Sequence, residues 1–217
     1  MTYLEPNVAS RAPGSQTGLP LEHADLERTD SRRVGIRLGW CLLGAAVLLV
    51  SFAVAPGVEG AFGGALGLLM LGVAAEDARR FVVPDALSGG AFMLGVTHAF
   101  VADPYSGFEG PLMALSRATL AAGLLLLVRI AYRRFRGRAG LGLGDVKLAG
   151  AAGAWLGLPM LPVTIELAAI TALAAYVFRQ RKRMRILSGA GRVPFGAFFA
   201  PAIWLGWVLD TMLPYLN

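Results

Sequence analysis

Thiols are nearly absent from this sequence: Cys41 is its single cysteine, and it lies inside an apolar run. That excludes a disulfide framework and a cysteine zinc site, and leaves Cys41 as a small packed hydrophobe. Charge is scarce as well. Only 16% of the 217 residues are charged, against 56% hydrophobic, and the mean hydropathy is +0.60. Such a composition is too apolar for an ordinary soluble domain and leaves no room for a large one. The charge that remains is basic, net +6, yet aromatic residues are not interleaved with the basic ones, so no nucleic-acid partner is expected. The basic residues stand between apolar runs, where membrane topology accounts for them.

Residues 1–33 lack the apolar core that a secretory signal carries. Rich in Ser, Thr, Pro, Gly and mixed charge, they read as a flexible cytoplasmic tail, with residues 34–217 as the membrane domain. Apolar runs follow at 38–55, 60–75, 86–102, 111–128, 148–178 and 194–209. Most approach the roughly 20 residues that cross the hydrocarbon core. The run 148–178 is too long for one span, and its "LPMLP" at 158–162 carries two prolines that favour a break. Split there into a hairpin, the chain is expected to be an all-α polytopic transmembrane bundle of about seven helices, or six if that run is unbroken.

The basic residues decide for seven. With a cytoplasmic N-terminus, Arg79 and Arg80, then Arg133, Arg134, Arg136 and Arg138, then Arg179, Arg181, Lys182, Arg183, Arg185 and Arg192 all fall on the cytoplasmic side. The opposite loops hold Glu59, Asp103 and Glu109 and no Lys or Arg. An unbroken 148–178 would put the last cluster on the wrong side of the positive-inside rule. Arg117 and Glu166, in apolar runs toward the outer surface, read as snorkelling side chains or as an ion pair.

That topology brings Asp145, in "GLGLGDVKLAG" at 140–150, to the same membrane face as Glu76, Asp77 and Asp85 in "AAEDARRFVVPDALSG". Asp145 also suits a helix cap, as does Asp85 after Pro84, because Asp accepts from the first free N–H groups of a helix. Glu76 and Asp77 have a weaker excuse: they end a helix, where a negative charge meets the negative pole of the dipole. Two carboxylates that share a proton let one act as base on a water while the other donates to a carbonyl oxygen or a leaving amine. Gly142 and Gly144 would let backbone approach closely or take left-handed geometry. Lys147 is a partner for lipid phosphate or a cation that tunes the acids. A fifth helix running from Val146 to about residue 157 is near 18 Å long, short of a roughly 30 Å core.

These residues carry a resemblance. "GLGD" at 142–145 matches the G-x-G-D signature of intramembrane aspartic proteases, and "GDVKLAGAAGAWLG" resembles the second motif of type IV prepilin peptidases. "DARRFVVPDAL" is similar to that family's first motif, an Asp followed seven residues on by Pro and then Asn or Asp. "VPFGAFFAPA" at 193–202 resembles its Pro-Phe-Gly segment. The resemblance implies a catalytic pair at Asp77 and Asp145, with Asp85, Lys147, Gly142 and Gly144 as auxiliary positions. It further implies a multi-pass protein of the bacterial inner membrane that cuts the basic leader from a prepilin at the cytoplasmic face, beside membrane lipid and with no metal or cofactor. The small residues of "GAAGAWLG" suit close helix approach, to a substrate helix or within the bundle.

One departure matters. Larger bifunctional members carry paired C-x-x-C motifs and methylate the new N-terminus, whereas this chain has Cys41 alone. The expectation is therefore an aspartic endopeptidase without N-methylation, similar to the short peptidases of tight-adherence (Flp) pilus systems. Two rivals remain from other classes. A small proton-coupled transporter also uses paired acids, but here the acids gather at one face. A non-catalytic pilus assembly scaffold would use the basic loops as a docking surface.

Overall fold

The computed structural model describes residues 38–102, 105, 107–137, 140–182 and 194–213, and the expected tail at 1–33 lies outside them. Among the described residues there are seven α-helices and no strand: α1 (Leu38–Val54), α2 (Val58–Arg80), α3 (Asp85–Ala102), α4 (Glu109–Arg136), α5 (Leu143–Trp155), α6 (Met160–Lys182) and α7 (Gly196–Met212). From Leu43 onward the chain forms one compact unit.

The break expected at "LPMLP" is present. α5 stops at Trp155, Leu156 turns to extended backbone, and the N–H groups of Met160 and Leu161 close a turn on the carbonyl of Gly157. Asp210 anchors this turn by accepting from the Gly157 N–H at 2.9 Å. Pro162 then falls in the first turn of α6, where its missing N–H costs nothing.

Other ends differ from the apolar runs. α2 continues to Arg80 and α4 to Arg136, each beyond the last apolar residue of its run. Ala, Arg and Phe are all compatible with helix, so α4 stops only where Gly137 adopts φ 67° and its N–H returns to the Arg133 carbonyl. By length and apolarity three helices are long enough to cross a membrane, α2, α4 and α6, with α1 and α7 as shorter apolar helices. Cys41 is exposed, which corrects the expectation of a packed thiol: in hydrocarbon an apolar helix face needs no protein cover.

α5 is the central element. Nine of its 13 residues are buried, from Asp145 to Trp155, and α3, α4 and α7 pack around it. Gly153 makes the α4 contact possible, because a Cβ there would fall 2.5 Å from the Arg117 carbonyl oxygen and 2.7 Å from the Ala118 backbone. The small residues of "GAAGAWLG" are thus spent within the bundle. Trp155 fixes the far end of α5 against α3 by donating from Nε1 to the Ala91 carbonyl at 2.8 Å. Arg117 donates from Nε to the Gly153 carbonyl at 3.3 Å, and among the described residues it forms no ion pair with Glu166. On the other side α2 lies under α7, with Gly63 directly beneath the Trp207 ring. Trp204 joins α7 to α1 through its Nε1 and Ser51 Oγ, 3.1 Å apart.

Gly153→Val is expected to destabilise the bundle by about 1–3 kcal/mol, the usual cost of forcing extra atoms into a filled contact. A lowered thermal midpoint in detergent and reduced accumulation in membranes are the readouts. An unchanged midpoint would mean that α4 and α5 do not meet here.

Candidate active site

The ends of α2 and α4 meet the starts of α3, α5 and α7 at one end of the bundle. Asp77 lies one turn before the C-terminus of α2 and is buried, with 5% of its surface exposed. A carboxylate there is poorly served by its own helix, whose free groups at that end are carbonyls. It turns instead to α7: Oδ2 accepts from the Ala197 N–H at 2.8 Å. This is the N-terminal turn of another helix, where unpaired N–H groups and the dipole both favour an anion. Gly196 makes the approach possible, since a Cβ there would sit 3.0 Å from Asp77 Oδ2 and 3.0 Å from Val83 Cγ2.

Asp145 is placed differently from the expectation. α5 begins at Leu143 rather than Val146, so Asp145 is its third residue and not the residue before it. Its Oδ2 reaches back to accept from the Gly142 N–H at 3.1 Å, which is half of a capping box, because glycine has no side chain to complete the other half. The capping role and a place in a site therefore coexist. Asp145 is 8% exposed and lies within electrostatic reach of Asp77 and of Arg129 from α4.

Val83 joins the two acids' surroundings. It is buried in the link between α2 and α3, wedged between Gly196 and Gly144, where an added Cβ would come within 2.7 Å of Val83 Cβ. Gly144 is a close-approach glycine. Gly142 has φ −72°, so neither glycine of the pair uses left-handed backbone; that conformation occurs instead at Phe81, φ 55°, which closes α2 by donating its N–H to the Asp77 carbonyl.

The remaining candidates point elsewhere. Asp85 opens α3 and pairs with Lys147, Oδ1 to Nζ 2.5 Å, both side chains well exposed. The lysine is thereby engaged with Asp85, and the cation that Asp145 senses is Arg129. Glu76 pairs with Arg80 one turn on, at 3.3 Å. The sequence reading missed Arg129, Val83 and the Ala197 N–H. Arg129 had one signal, being the first cation after the apolar run 111–128; a backbone N–H has none.

The fold and this site define a class: a membrane-type helix bundle with two buried aspartates brought together at one end by glycine contacts. The chain belongs to the type IV leader peptidase family, whose model matches residues 64–177, a stretch that includes both aspartates and stops before Gly196. It is 33% identical over 181 residues to a prepilin leader peptidase/N-methyltransferase of Dickeya chrysanthemi, covering 79% of this chain and 58% of that protein. A protein of the same description from Klebsiella pneumoniae is 35% identical over 133 residues, 58% of this chain and 53% of that one. The leader peptidase HopD of Escherichia coli is 33% identical over 138 residues, 63% of this chain and 84% of its own. The chain thus spans a little over half the length of the first two relatives. No solved structure matches.

Gly144→Ala is expected to lower stability by about 1–3 kcal/mol through its collision with Val83. Adding Val83→Ala should recover part of that loss, because contacting residues couple. Thermal unfolding of the two single variants and the double variant in detergent gives the coupling; strict additivity would show that the two residues do not touch.

Proposed function

We propose that this chain is an intramembrane aspartic endopeptidase that removes the leader from a type IV prepilin, with Asp77 and Asp145 as the catalytic pair. The observation that carries the proposal is two buried carboxylates at one end of the bundle, each held through one oxygen by a backbone N–H. Two buried acids within electrostatic reach of each other disfavour double ionisation, so that one is ionised while the other keeps its proton. The ionised member takes a proton from water as it attacks the scissile carbonyl. The protonated member hydrogen-bonds the developing oxyanion, and as the C–N bond breaks a proton from the pair passes to the leaving amine. Backbone donors suit both roles, since they hold the carboxylates without competing for the shared proton.

The positive-inside rule supports a cytoplasmic position for this end, because Arg79, Arg80, Arg133, Arg134, Arg136, Arg179 and Arg181 lie on the same side of the chain's topology. We read the chain as a multi-pass protein of the bacterial inner membrane, with residues 34–217 as the peptidase domain and residues 1–33 as a cytoplasmic tail. The substrate's apolar helix and the surrounding lipid are its partners. With Cys41 as its lone cysteine, the chain has no paired C-x-x-C motif, and we read it as cutting Flp-type prepilins without methylating the new N-terminus. Transfer of a labelled methyl group from S-adenosylmethionine to processed pilin would sink that last point while leaving the peptidase reading intact.

The decisive test is leader cleavage of a co-reconstituted Flp-type prepilin. Asp77→Asn and Asp145→Asn keep the acceptor oxygen but cannot share a proton, and each is expected to lose at least about 100-fold in rate. Asp85→Asn, which removes an exposed ion pair of small energetic weight, should cleave within a few-fold of the parent. Parental cleavage by either of the first two variants would end the aspartic-protease reading.

A further inference from the structure

Arg129 and Asp145 are joined by a single peptide group. Arg129, on α4, donates from Nη1 to the Leu141 carbonyl at 2.9 Å. The N–H of the same peptide unit belongs to Gly142, and it donates to Asp145 Oδ2 at 3.1 Å. In a trans peptide the carbonyl and the N–H point in opposite directions, so one plane carries the cation on one edge and the carboxylate on the other. Three residues further along α4, the Tyr132 ring lies flat against Gly140, where a Cβ would meet ring carbons at 2.5–2.9 Å. The loop that delivers Asp145 is therefore clamped twice by the last turns of α4, once by packing and once by charge.

We propose that Arg129 is a positioning residue for Asp145, acting through the Leu141–Gly142 peptide; the proposal rests on the reading of Asp145 as one of the catalytic pair. A guanidinium on a carbonyl makes a charge-assisted hydrogen bond. It draws electron density toward the oxygen and strengthens the N–H on the other edge as a donor, as neighbouring hydrogen bonds polarise one another in a low-dielectric setting. It also fixes the plane of that peptide, and with it the direction from which the Gly142 N–H meets the carboxylate. Lys147, two residues from Asp145, does not serve this purpose because it is engaged with Asp85. Arg129 thus favours the ionised form of Asp145 twice over, by its own charge and by the donor it sharpens.

The test compares Arg129→Lys, which keeps a cation, with Arg129→Gln, which keeps a donor for the carbonyl without the charge. Both are assayed for prepilin cleavage across pH, with membrane levels matched. Among the described residues the charged groups facing Asp145 are Asp77 from α2 and Arg129 from α4, while the nearest charge from α3, Asp85, is paired with Lys147. Loss of the Arg129 cation favours the protonated carboxyl, so the acidic limb of the rate profile should move to higher pH by about one unit in Arg129→Gln. Its kcat should fall roughly 10- to 100-fold, the scale of a small misplacement of a reacting group, with KM little changed. Arg129→Lys should keep the parental limb and most of the rate. A Gln variant with the parental kcat and limb would overturn the proposal, as would Lys and Gln variants with the same profile. Asp145→Asn run alongside reports on the underlying reading separately: parental cleavage by that variant removes the catalytic assignment whatever Arg129 does.

Discussion

A carboxylate buried at the wrong end of its own helix must find donors on another one, and the site end of this bundle is organised around that requirement. Asp77 sits where α2 offers only carbonyls, and an unsatisfied buried anion is among the most costly groups a fold can hold. The Ala197 N–H at the start of α7 meets the need, and this contact sets where α7 must begin and how closely it must approach α2. Gly196 follows from it, because the approach leaves no space for a Cβ. Val83 and Gly144 follow in turn, since the side chain that fills the space beside Gly196 also presses on the first turn of α5, which carries Asp145.

Asp145 obtains its donor locally, from Gly142. The two acids therefore reach the same place by opposite routes, one through a long-range helix end and the other through its own N-terminal turn. This asymmetry leaves them in different surroundings: Asp77 among the backbone of α7, Asp145 beside the cation of α4. Pairs of like groups divide acid and base roles when their environments differ, which is what the proposed catalytic reading of Asp77 and Asp145 requires.

Much of this was legible in the sequence. The apolar runs and the "LPMLP" break give the seven helices that the structure has. The anomaly of Asp77 at a helix C-terminus was visible too, although its resolution was not: nothing in "VPFGAFFAPA" announces that the amide of Ala197 is a ligand for a side chain 120 residues earlier. Helix ends are less legible for a related reason. The apolar run 111–128 stops at a charged residue, Arg129, whereas α4 stops at the first residue that leaves helical backbone, Gly137. Arg129 fell in that gap between the end of the run and the end of the helix, and its partner is again a backbone atom. Lys147 attracted notice by sequence proximity to Asp145, but a step of two residues along a helix turns a side chain to another face, and Lys147 meets Asp85 instead.

The shortness of α5 sets a relation between this protein and its solvent. Thirteen residues rise about 20 Å, so the central helix falls some 10 Å short of an average hydrocarbon core, although longer helices stand beside it. α5 is enclosed by α3, α4 and α7 rather than by lipid, so the deficit at its end is made up by protein or by water. Peptide hydrolysis consumes a water molecule, and a depression over the start of α5 would let bulk solvent reach Asp145 without a channel through the bundle. Bilayer thickness then becomes a variable of the proposed chemistry: longer acyl chains deepen the mismatch at α5, which carries one of the two proposed reacting groups, while the longer α2, which carries the other, is left in register.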